Sequence, residues 1–304
     1  MNRSYIGKLM ELAEKDHEIM HLLADSGTGF DEMFRKNFPE QIYNFGIAEE
    51  NMVAAAAGMA SVGKKPFVFT AGAFLAYRSM EFIRNDICFQ NLNVKIVGMG
   101  SGLSWSSLGP THHTTEDFSV LRAIPNLAIY SPSTPQQVAA CVQFAYEHAG
   151  PAYIRIGMNN EKEFFDSSYS LSESGIDILK EGNDIAVLVS GSILSETYEA
   201  CSKLEEEGIH SKLINISKIK PFHGQLISEL SKAFNKLFVV EEHNIYGGLS
   251  SIVSETVAYN GLNLKVVPIG IEDMFAVGYG SELVVRRNNK LDSENIYQKI
   301  KGAI

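Results

Sequence analysis

One stretch decides how this chain folds: it runs from Tyr43 to Val53 and reads YNFGIAEENMV. A short apolar strand ends at Gly46, and a helix of small apolar residues, MVAAAAGMA, follows over residues 52–60. Such a helix is too apolar for a surface position, so we expect it to lie buried against another backbone. Glu49 begins the helix, where free amide groups favour a carboxylate. Local sequence alone leaves two interpretations open, an ordinary helix-start charge or a functional carboxylate.

Composition limits the class of protein. The chain has 304 residues, of which 45% are hydrophobic and 20% charged, which is typical of a globular protein with two domains. Its net charge of -10 argues against nucleic acid or an anionic membrane as a partner. Three widely spaced cysteines predict neither a disulfide framework nor a zinc site. No apolar signal core or run of 18 apolar residues occurs, so we expect a cytoplasmic protein.

Short apolar segments alternate with helical patterns along the whole chain. This alternation predicts an α/β fold with two domains, each a mainly parallel sheet flanked by helices. The predicted division is a first domain at 1–160, a polar linker at 161–182, which has room for one short strand, and a second domain at 183–304. Predicted strands lie at 19–25, 42–45, 67–70, 94–99, 127–130 and 152–156, and then at 185–189, 211–216, 237–241 and 264–269.

Polar residues collect at the ends of the first predicted strands. Asp25, Glu49, Thr70 and the loop 100–115 all lie at or just beyond the carboxyl end of a strand. In open parallel sheets these ends share one edge, where ligands bind. The convergence of these residues therefore predicts a functional site and favours the functional interpretation of Glu49.

The chain resembles the C-terminal half of a transketolase, in the split form where the enzyme consists of two polypeptides. The resemblance covers essentially all 304 residues. It implies a pyrimidine-binding domain followed by a transketolase C-terminal domain. Deoxyxylulose-phosphate synthases and the β subunits of 2-oxo-acid dehydrogenases share this architecture. The segments that carry it are FGIAEENM at 45–52, NVKIV at 93–97, GPTHH at 109–113, LRAIPN at 121–126, IKP at 219–221 and VEEHNIYGGL at 240–249.

The resemblance implies thiamine diphosphate as the cofactor and places the family's catalytic glutamate at Glu49. A carboxyl group bonded to N1′ of the aminopyrimidine favours the imino form, whose 4′ nitrogen removes the proton from C2 of the thiazolium ring. An apolar setting strengthens this coupling because water would weaken it. The Ala-rich helix is expected to supply that setting, and Glu50 is expected to be a bystander.

The resemblance also implies site roles for three aromatic residues, two histidines and one acidic residue. Phe74, Tyr77 and Phe82 lie where the family keeps ring-contacting aromatics, and core packing is the alternative for each. His112 matches the substrate-facing histidine, which hydrogen-bonds a substrate oxygen or moves its proton. His113 follows as a further candidate substrate contact, with a structural role as its alternative. Asp25 matches an acidic residue that contacts the cofactor or a subunit interface.

Three positions depart from transketolases that use sugar phosphates. Leu108 stands where the resemblance implies a hydroxyl-binding aspartate, and Met158 where it implies a phosphate-binding arginine. A phosphate-contacting histidine would fall near Gly100. Methionine cannot replace arginine in binding phosphate, and Arg155 alternates to the other side of its strand. We therefore expect a substrate that is less hydroxylated, non-phosphorylated or bound by partner residues, with Leu108 and Met158 at the substrate position.

A motif expected of a complete enzyme is missing from the sequence. The family's metal–diphosphate motif begins Gly-Asp-Gly and ends at an asparagine, and no Gly-Asp-Gly occurs in the chain. The resemblance therefore implies a separate N-terminal subunit that carries the motif and holds the diphosphate and Mg²⁺. Symmetric pairing predicts an α2β2 assembly.

The leading hypothesis is the C-terminal subunit of a thiamine diphosphate-dependent, transketolase-like enzyme. It would transfer a two-carbon ketol or acyl unit from a ketose or 2-oxo donor to an aldehyde-type acceptor. Two alternatives remain open at this point. One is a component that decarboxylates 2-oxo acids, like a dehydrogenase β subunit or a deoxyxylulose-phosphate synthase. The other is a non-catalytic scaffold subunit that has kept only the fold.

Overall fold

The computed structural model describes residues 1–26, 29–158 and 161–304. Its strands are β1 (Ile19–Leu23), β2 (Ile42–Asn44), β3 (Lys65–Ala71), β4 (Lys95–Met99), β5 (Ala128–Tyr130), β6 (Ala152–Ile156), β7 (Ile176–Lys180), β8 (Ile185–Ser190), β9 (Ser211–Ile216), β10 (Lys218–Lys220), β11 (Lys236–Asn244) and β12 (Lys265–Ile271). Its helices are α1 (Asn2–Ala13), α2 (Gly29–Asn37), α3 (Glu49–Ser61), α4 (Met80–Phe82), α5 (Asp117–Leu121), α6 (Pro135–Glu147), α7 (Leu194–Glu206), α8 (Gln225–Leu230), α9 (Leu249–Tyr259), α10 (Glu282–Asn288) and α11 (Ser293–Lys301). None of the described helices is both long enough and apolar enough to cross a bilayer.

The first sheet has the strand order β10-β5-β6-β4-β3-β1-β2. Every neighbouring pair is parallel except β10 and β5. β1, β4 and β6 are buried at each of their positions, because helices cover both faces of the sheet. The parallel strands therefore end along one edge, which is where a site is expected.

The second sheet has the order β12-β11-β8-β9-β7. Its pairs are parallel except for the edge strand β7, which runs antiparallel to β9. The α/β fold with two mainly parallel sheets is thus confirmed.

One strand, β10, departs from the predicted division of the chain. β7 lies inside the expected linker 161–182, where the sequence allows one short strand, and it forms the edge of the second sheet. β10 lies inside the expected second domain, yet it pairs with β5 in the first sheet. Its Ile219 is 1% exposed, and the pairing covers the open edge of β5. A strand of three residues is too short for a sequence pattern to reveal such a crossover.

Apolar and polar contacts join the two halves. One buried cluster contains Leu22 and Ile96 of the first sheet together with Leu188 and Val239 of the second. Arg155 on β6 also donates to the carbonyl oxygen of a β11 residue, at 3.0 Å. The two sheets therefore share a core, which fixes the loops between them.

Candidate active site

A cavity of about 380 Å³ opens at the carboxyl edge of the first sheet. Asp25, Glu49 and Thr70, which the sequence predicts at neighbouring strand ends, all lie in its wall. The described residues that line it are Ala24, Asp25, Ser26, Ile47, Glu49, Thr70, Ala71, Phe74, Met99, Trp105, Leu108, His112 and Met158. Carboxylates, two aromatic rings and a histidine thus meet in one concave and mainly apolar place, as in many ligand sites.

A larger concavity of about 570 Å³ lies elsewhere, between the amino ends of β1 and β3. It is lined by residues such as His17, Tyr43 and Lys64. Functional groups in parallel sheets collect at the carboxyl ends of strands rather than at the amino ends. We therefore assign the candidate site to the smaller cavity.

The turn before α3 places Glu49 in the cavity. Gly46 has a φ of +69°, a region that favours glycine. The side-chain oxygen of Asn44 accepts hydrogen bonds from the N–H groups of Gly46 and Asp25, at 2.9 and 3.1 Å. These bonds join the ends of β1 and β2. Glu49 follows as the first residue of α3 and is only 1% exposed.

Arg78 is the charge partner of Glu49, and sequence reasoning missed it. Its Nη1 donates to Glu49 Oε2 at 2.7 Å. The guanidinium group also lies 5.1 Å from the centre of the Phe74 ring, within the range of a cation–π contact. The one available signal was the spacing of four residues between Phe74 and Arg78, which places both on one helix face. That spacing does not reveal Glu49 as the partner.

Phe74 begins a π-helical turn that extends to Arg78. Such turns are rare and frequently occur at functional sites. The Phe74 ring meets the His112 ring edge to face, with 5.1 Å between centroids. Trp105 lies on the same cluster, 6.0 Å from His112. These three rings form an aromatic part of the cavity wall.

His112 is held in its loop by backbone and side-chain bonds. Its N–H donates to the Gly109 carbonyl oxygen at 2.9 Å. Its Nδ1 lies 2.9 Å from Thr111 Oγ1, so Nε2 is the ring atom left to meet a ligand. Gly109 has a φ of +76°, and an added Cβ there would lie 2.4 Å from the Tyr279 ring. Tyr279 of the second half of the chain therefore packs closely against the loop that carries His112.

The other two candidate aromatics lie outside the cavity wall. Tyr77 donates its hydroxyl to Glu116 Oε2 at 2.8 Å and accepts from the Glu116 N–H at 3.1 Å. Phe82 packs against the hydrophobic core. Of the three aromatics proposed from the sequence, Phe74 is the one among the described lining residues.

The two neighbouring histidines differ sharply in their surroundings. His112 lines the cavity, whereas His113 does not and is 2% exposed. Within the described residues, neither ring nitrogen of His113 has a hydrogen-bond partner. Burial lowers the pKa of His113 and outweighs the opposing effect of the Glu242 and Glu116 carboxylates. His113 is therefore neutral at pH 7.

This burial predicts a pH-dependent loss of stability. Below about pH 6.5 the unfolded chain takes up a proton at His113 that the folded chain does not, so stability falls as pH falls. A His113→Gln variant lacks this titratable group. We expect its free energy of unfolding to change less steeply with pH, by up to about 1.4 kcal/mol per pH unit. Urea unfolding of both proteins between about pH 7 and pH 5 measures the difference. Parallel profiles would show that His113 does not carry the effect.

Two family models match successive parts of the chain. The model described as "Transketolase, pyrimidine binding domain" matches residues 3–161, which include Glu49, Phe74 and His112. The chain belongs to the transketolase family. The model described as "Transketolase, C-terminal domain" matches residues 174–296. Both matches agree with the resemblance inferred from the sequence motifs.

Individual relatives align with nearly the whole chain. An apulose-4-phosphate transketolase subunit of Actinobacillus succinogenes is 34% identical, over 92% of this chain and 90% of its own length. A solved structure described as "Split gene transketolase, inactive beta4 tetramer" is 32% identical and has a TM-score of 0.91, covering 99% of this chain and 97% of its own. The 1-deoxy-D-xylulose-5-phosphate synthase of Carboxydothermus hydrogenoformans is 35% identical over 96% of this chain but only 47% of its own length. The chain is thus similar to the C-terminal subunits of split transketolases, which are transferases.

Proposed function

We propose that this chain is the C-terminal, pyrimidine-binding subunit of a thiamine diphosphate-dependent transketolase. It transfers a two-carbon ketol or acyl unit from a ketose or 2-oxo donor to an aldehyde-type acceptor, in the cytoplasm. The observation that carries the proposal is the buried Glu49 carboxylate in the same small cavity as the Phe74 ring. These groups fit an aminopyrimidine ring, which needs one carboxyl partner and a flat apolar wall.

The chain's own residues have distinct tasks in this proposal. When bound, the cofactor supplies a carbon nucleophile and an electron sink, which allow a bond next to a carbonyl to break and form. Glu49 shares a proton with the pyrimidine ring, and its burial strengthens that hydrogen bond. Phe74 positions the ring, and the apolar wall excludes water. His112 hydrogen-bonds the substrate oxygen through Nε2 or moves its proton.

A second polypeptide completes the site. The chain has no Gly-Asp-Gly motif, and no group of three or more His, Cys, Asp or Glu among the described residues is placed to hold a metal ion. We therefore assign the diphosphate and Mg²⁺ to an N-terminal partner subunit in an α2β2 enzyme. The solved relative made of beta chains is described as inactive, which supports this division of labour.

Copurification tests the proposal. A tagged chain from its native cell extract is expected to recover a stoichiometric partner that carries Gly-Asp-Gly and a later asparagine. The pair, but neither chain alone, is expected to bind thiamine diphosphate with Mg²⁺ and to transfer two-carbon units. Turnover by the isolated chain, or a pair that does not bind the cofactor, would contradict the proposal. Recovery of this chain alone would favour the scaffold interpretation.

One observation favours a second candidate activity, the decarboxylation of a 2-oxo acid. The deoxyxylulose-phosphate synthase relative matches as well as the split-transketolase relatives in identity. An enzyme of that kind, or a dehydrogenase β-like component, would decarboxylate a 2-oxo acid. Release of CO2 from pyruvate by the assembled pair, without transfer from a ketose donor, would identify this alternative.

Replacing His112 with alanine is expected to lower turnover of the pair by about 10²–10⁴-fold, because a positioned proton donor is lost. The matched control is His17→Ala, since His17 is exposed and lies near the opposite edge of the sheet. Cofactor binding, followed by calorimetry, should be unchanged in both variants. An equal turnover for His112→Ala and the wild type would remove His112 from the mechanism.

A further inference from the structure

A loop of the first domain lies against the carboxyl edge of the second sheet. Such edges are where parallel sheets bind ligands. The loop is residues 102–114, and it carries His112. Its Leu103 is 0% exposed and belongs to the buried cluster that contains Val189 and Ile271, which lie near the carboxyl ends of β8 and β12. The second domain thus uses its expected ligand-binding edge to hold a loop of the candidate active site.

Hydrogen bonds close the base of this loop. The backbones of Gly102 and Thr114 exchange two bonds, at 2.9 and 3.2 Å, in an antiparallel bridge. Gly102 has a φ of +56°, and a Cβ added there would overlap Glu242 Oε2. The Glu242 carboxylate, which belongs to β11 of the second sheet, therefore lies directly against the base of the loop.

Arg286 of α10 holds two carboxylates beside the loop. It is 7% exposed, and its Nε donates to Glu242 Oε1 at 2.7 Å. Its Nη2 donates to Glu282 Oε1 at 2.9 Å, and the same oxygen accepts a bond from Ser104 Oγ of the loop at 3.2 Å. One guanidinium group thus fixes both the carboxylate at the base of the loop and the carboxylate that bonds to the loop itself.

The same segment of the loop carries a ring of the cavity wall. Ser106 Oγ donates to the Gly280 carbonyl oxygen at 2.8 Å, and the Gly280 N–H donates to the Ser106 carbonyl oxygen at 3.3 Å. Trp105 precedes Ser106, and its indole packs so closely on Gly100 that a side chain at that position would overlap it. The indole lies 6.0 Å from the His112 ring. A shift of this segment would therefore move two rings that line the cavity.

We propose that Arg286 is a positioning residue: it acts through Glu242 and Glu282 to hold the loop 102–114 and so sets the place of His112 in the cavity. The second domain contributes no described residue to the cavity lining, so this contact is its link to the chemistry. A small displacement of a catalytic group costs much of its rate enhancement. The effect on turnover rests on the proposed function, whereas the placement of the loop does not.

Trp105 is the single tryptophan of the chain, so its fluorescence reports the state of the loop in the full chain without partner or turnover. Arg286→Gln removes the charged fork, and acrylamide quenching of Trp105 is expected to rise by about twofold or more because the loop opens more often. The measurement is made well below the unfolding midpoint of each protein. A merely structural role of Arg286 would lower that midpoint but leave quenching of the folded chain unchanged. Equal quenching in a folded Arg286→Gln chain and the wild type would overturn the inference.

The next residue of the same helix provides the matched control. The Arg287 side chain is 65% exposed and lies 3.5 Å from the carboxylate of Asp292. Arg287→Gln therefore removes the same charge from α10 without touching the loop, and its quenching should equal that of the wild type. An equal rise in both arginine variants would assign the effect to the charge of the helix and overturn the inference.

A second variant decides the outcome if Arg286→Gln does not fold, since it deprives the fully buried Glu242 of its guanidinium partner. Ser104→Ala combined with Ser106→Ala removes the side-chain bonds of the loop to the second domain and leaves no charge unpaired. Quenching of Trp105 is again expected to rise. Ser107→Ala is the control, because Ser107 is an exposed residue of the same loop. Wild-type quenching in the folded double variant would then overturn the inference.

The assembled pair connects the loop to the chemistry. Arg286→Gln is expected to lower kcat by about 10–100-fold. Its affinity for thiamine diphosphate, measured by calorimetry, should stay at the wild-type level because Glu49 and Phe74 lie outside the loop. An unchanged kcat, or a loss of affinity as large as the loss of kcat, would overturn the inference. Absence of turnover in the wild-type pair would contradict the proposed function, whereas the quenching result continues to decide how the loop is held.

Discussion

Replacing Glu49 with glutamine is expected to lower two-carbon transfer by the assembled enzyme by about 10²–10⁴-fold. Glutamine keeps the size of the side chain, but its amide cannot exchange a proton with the pyrimidine ring as a carboxyl group does. The carboxylate is 1% exposed and begins α3, so water cannot readily take over its role. Turnover is measured on the pair, together with copurification and circular dichroism, which should match those of the wild type.

Glu50 provides the matched control for this prediction. It is the next residue of the same helix turn, but it is less buried than Glu49 and does not line the cavity. Glu50→Gln therefore removes the same charge from nearly the same position, and turnover should stay within about twofold. Full activity in Glu49→Gln would exclude Glu49 as the catalytic carboxylate. An equal loss in both variants would assign the effect to helix charge rather than to the cavity.

Replacing Arg155 with methionine is expected to lower the free energy of unfolding by about 3–5 kcal/mol. The loss removes the guanidinium group that pairs with the fully buried Asp117, which then keeps the Tyr153 hydroxyl as a donor at 2.8 Å. It also removes donors from the carbonyl oxygens of Thr114 and Glu242. Arg155 lies 4.7 Å over the Phe118 ring, so a packing contact is lost as well. Urea unfolding followed by circular dichroism measures the effect.

Two further variants identify the cause. Lys203 forms an exposed ion pair with Glu294 at 2.8 Å, so Lys203→Met should cost less than about 1 kcal/mol. Adding Asp117→Asn to Arg155→Met should recover part of the stability, because it removes the unpaired buried charge. The double variant could instead lose as much free energy of unfolding as the two single variants together. That result would assign the loss to packing and backbone hydrogen bonds rather than to the buried charge.

Local sequence patterns predicted much of the architecture. Apolar runs at 19–25 and 94–99 appear as β1 and β4, and the helix that begins at Glu49 appears as α3. These features depend on neighbours within a few residues, where periodicity and backbone preferences act directly. The edge of the first sheet at which Glu49 and Asp25 meet was also predictable, because parallel strands end together.

Contacts between distant segments were not predictable from the same patterns. Tyr77 and Phe74 lie on one short helical segment, yet only Phe74 lines the cavity, because Tyr77 bonds to Glu116. His112 and His113 are adjacent, yet one reaches the cavity and the other is buried without hydrogen-bond partners among the described residues. A shift of one position along a loop turns a side chain from the cavity toward the interior. The GPTHH motif does not encode which of its two histidines faces the cavity.

The sequence by itself determined the fold, the family and the location of the buried carboxylate at the start of α3, because each depends on patterns read along the chain. The tertiary structure alone decided the partners: Arg78 for Glu49, Asp117 for Arg155 and Trp105 beside Gly100. These pairs join residues separated by between 5 and 38 positions. Their geometry depends on how helices and loops pack on the sheet, and packing is a property of the whole core rather than of any one segment.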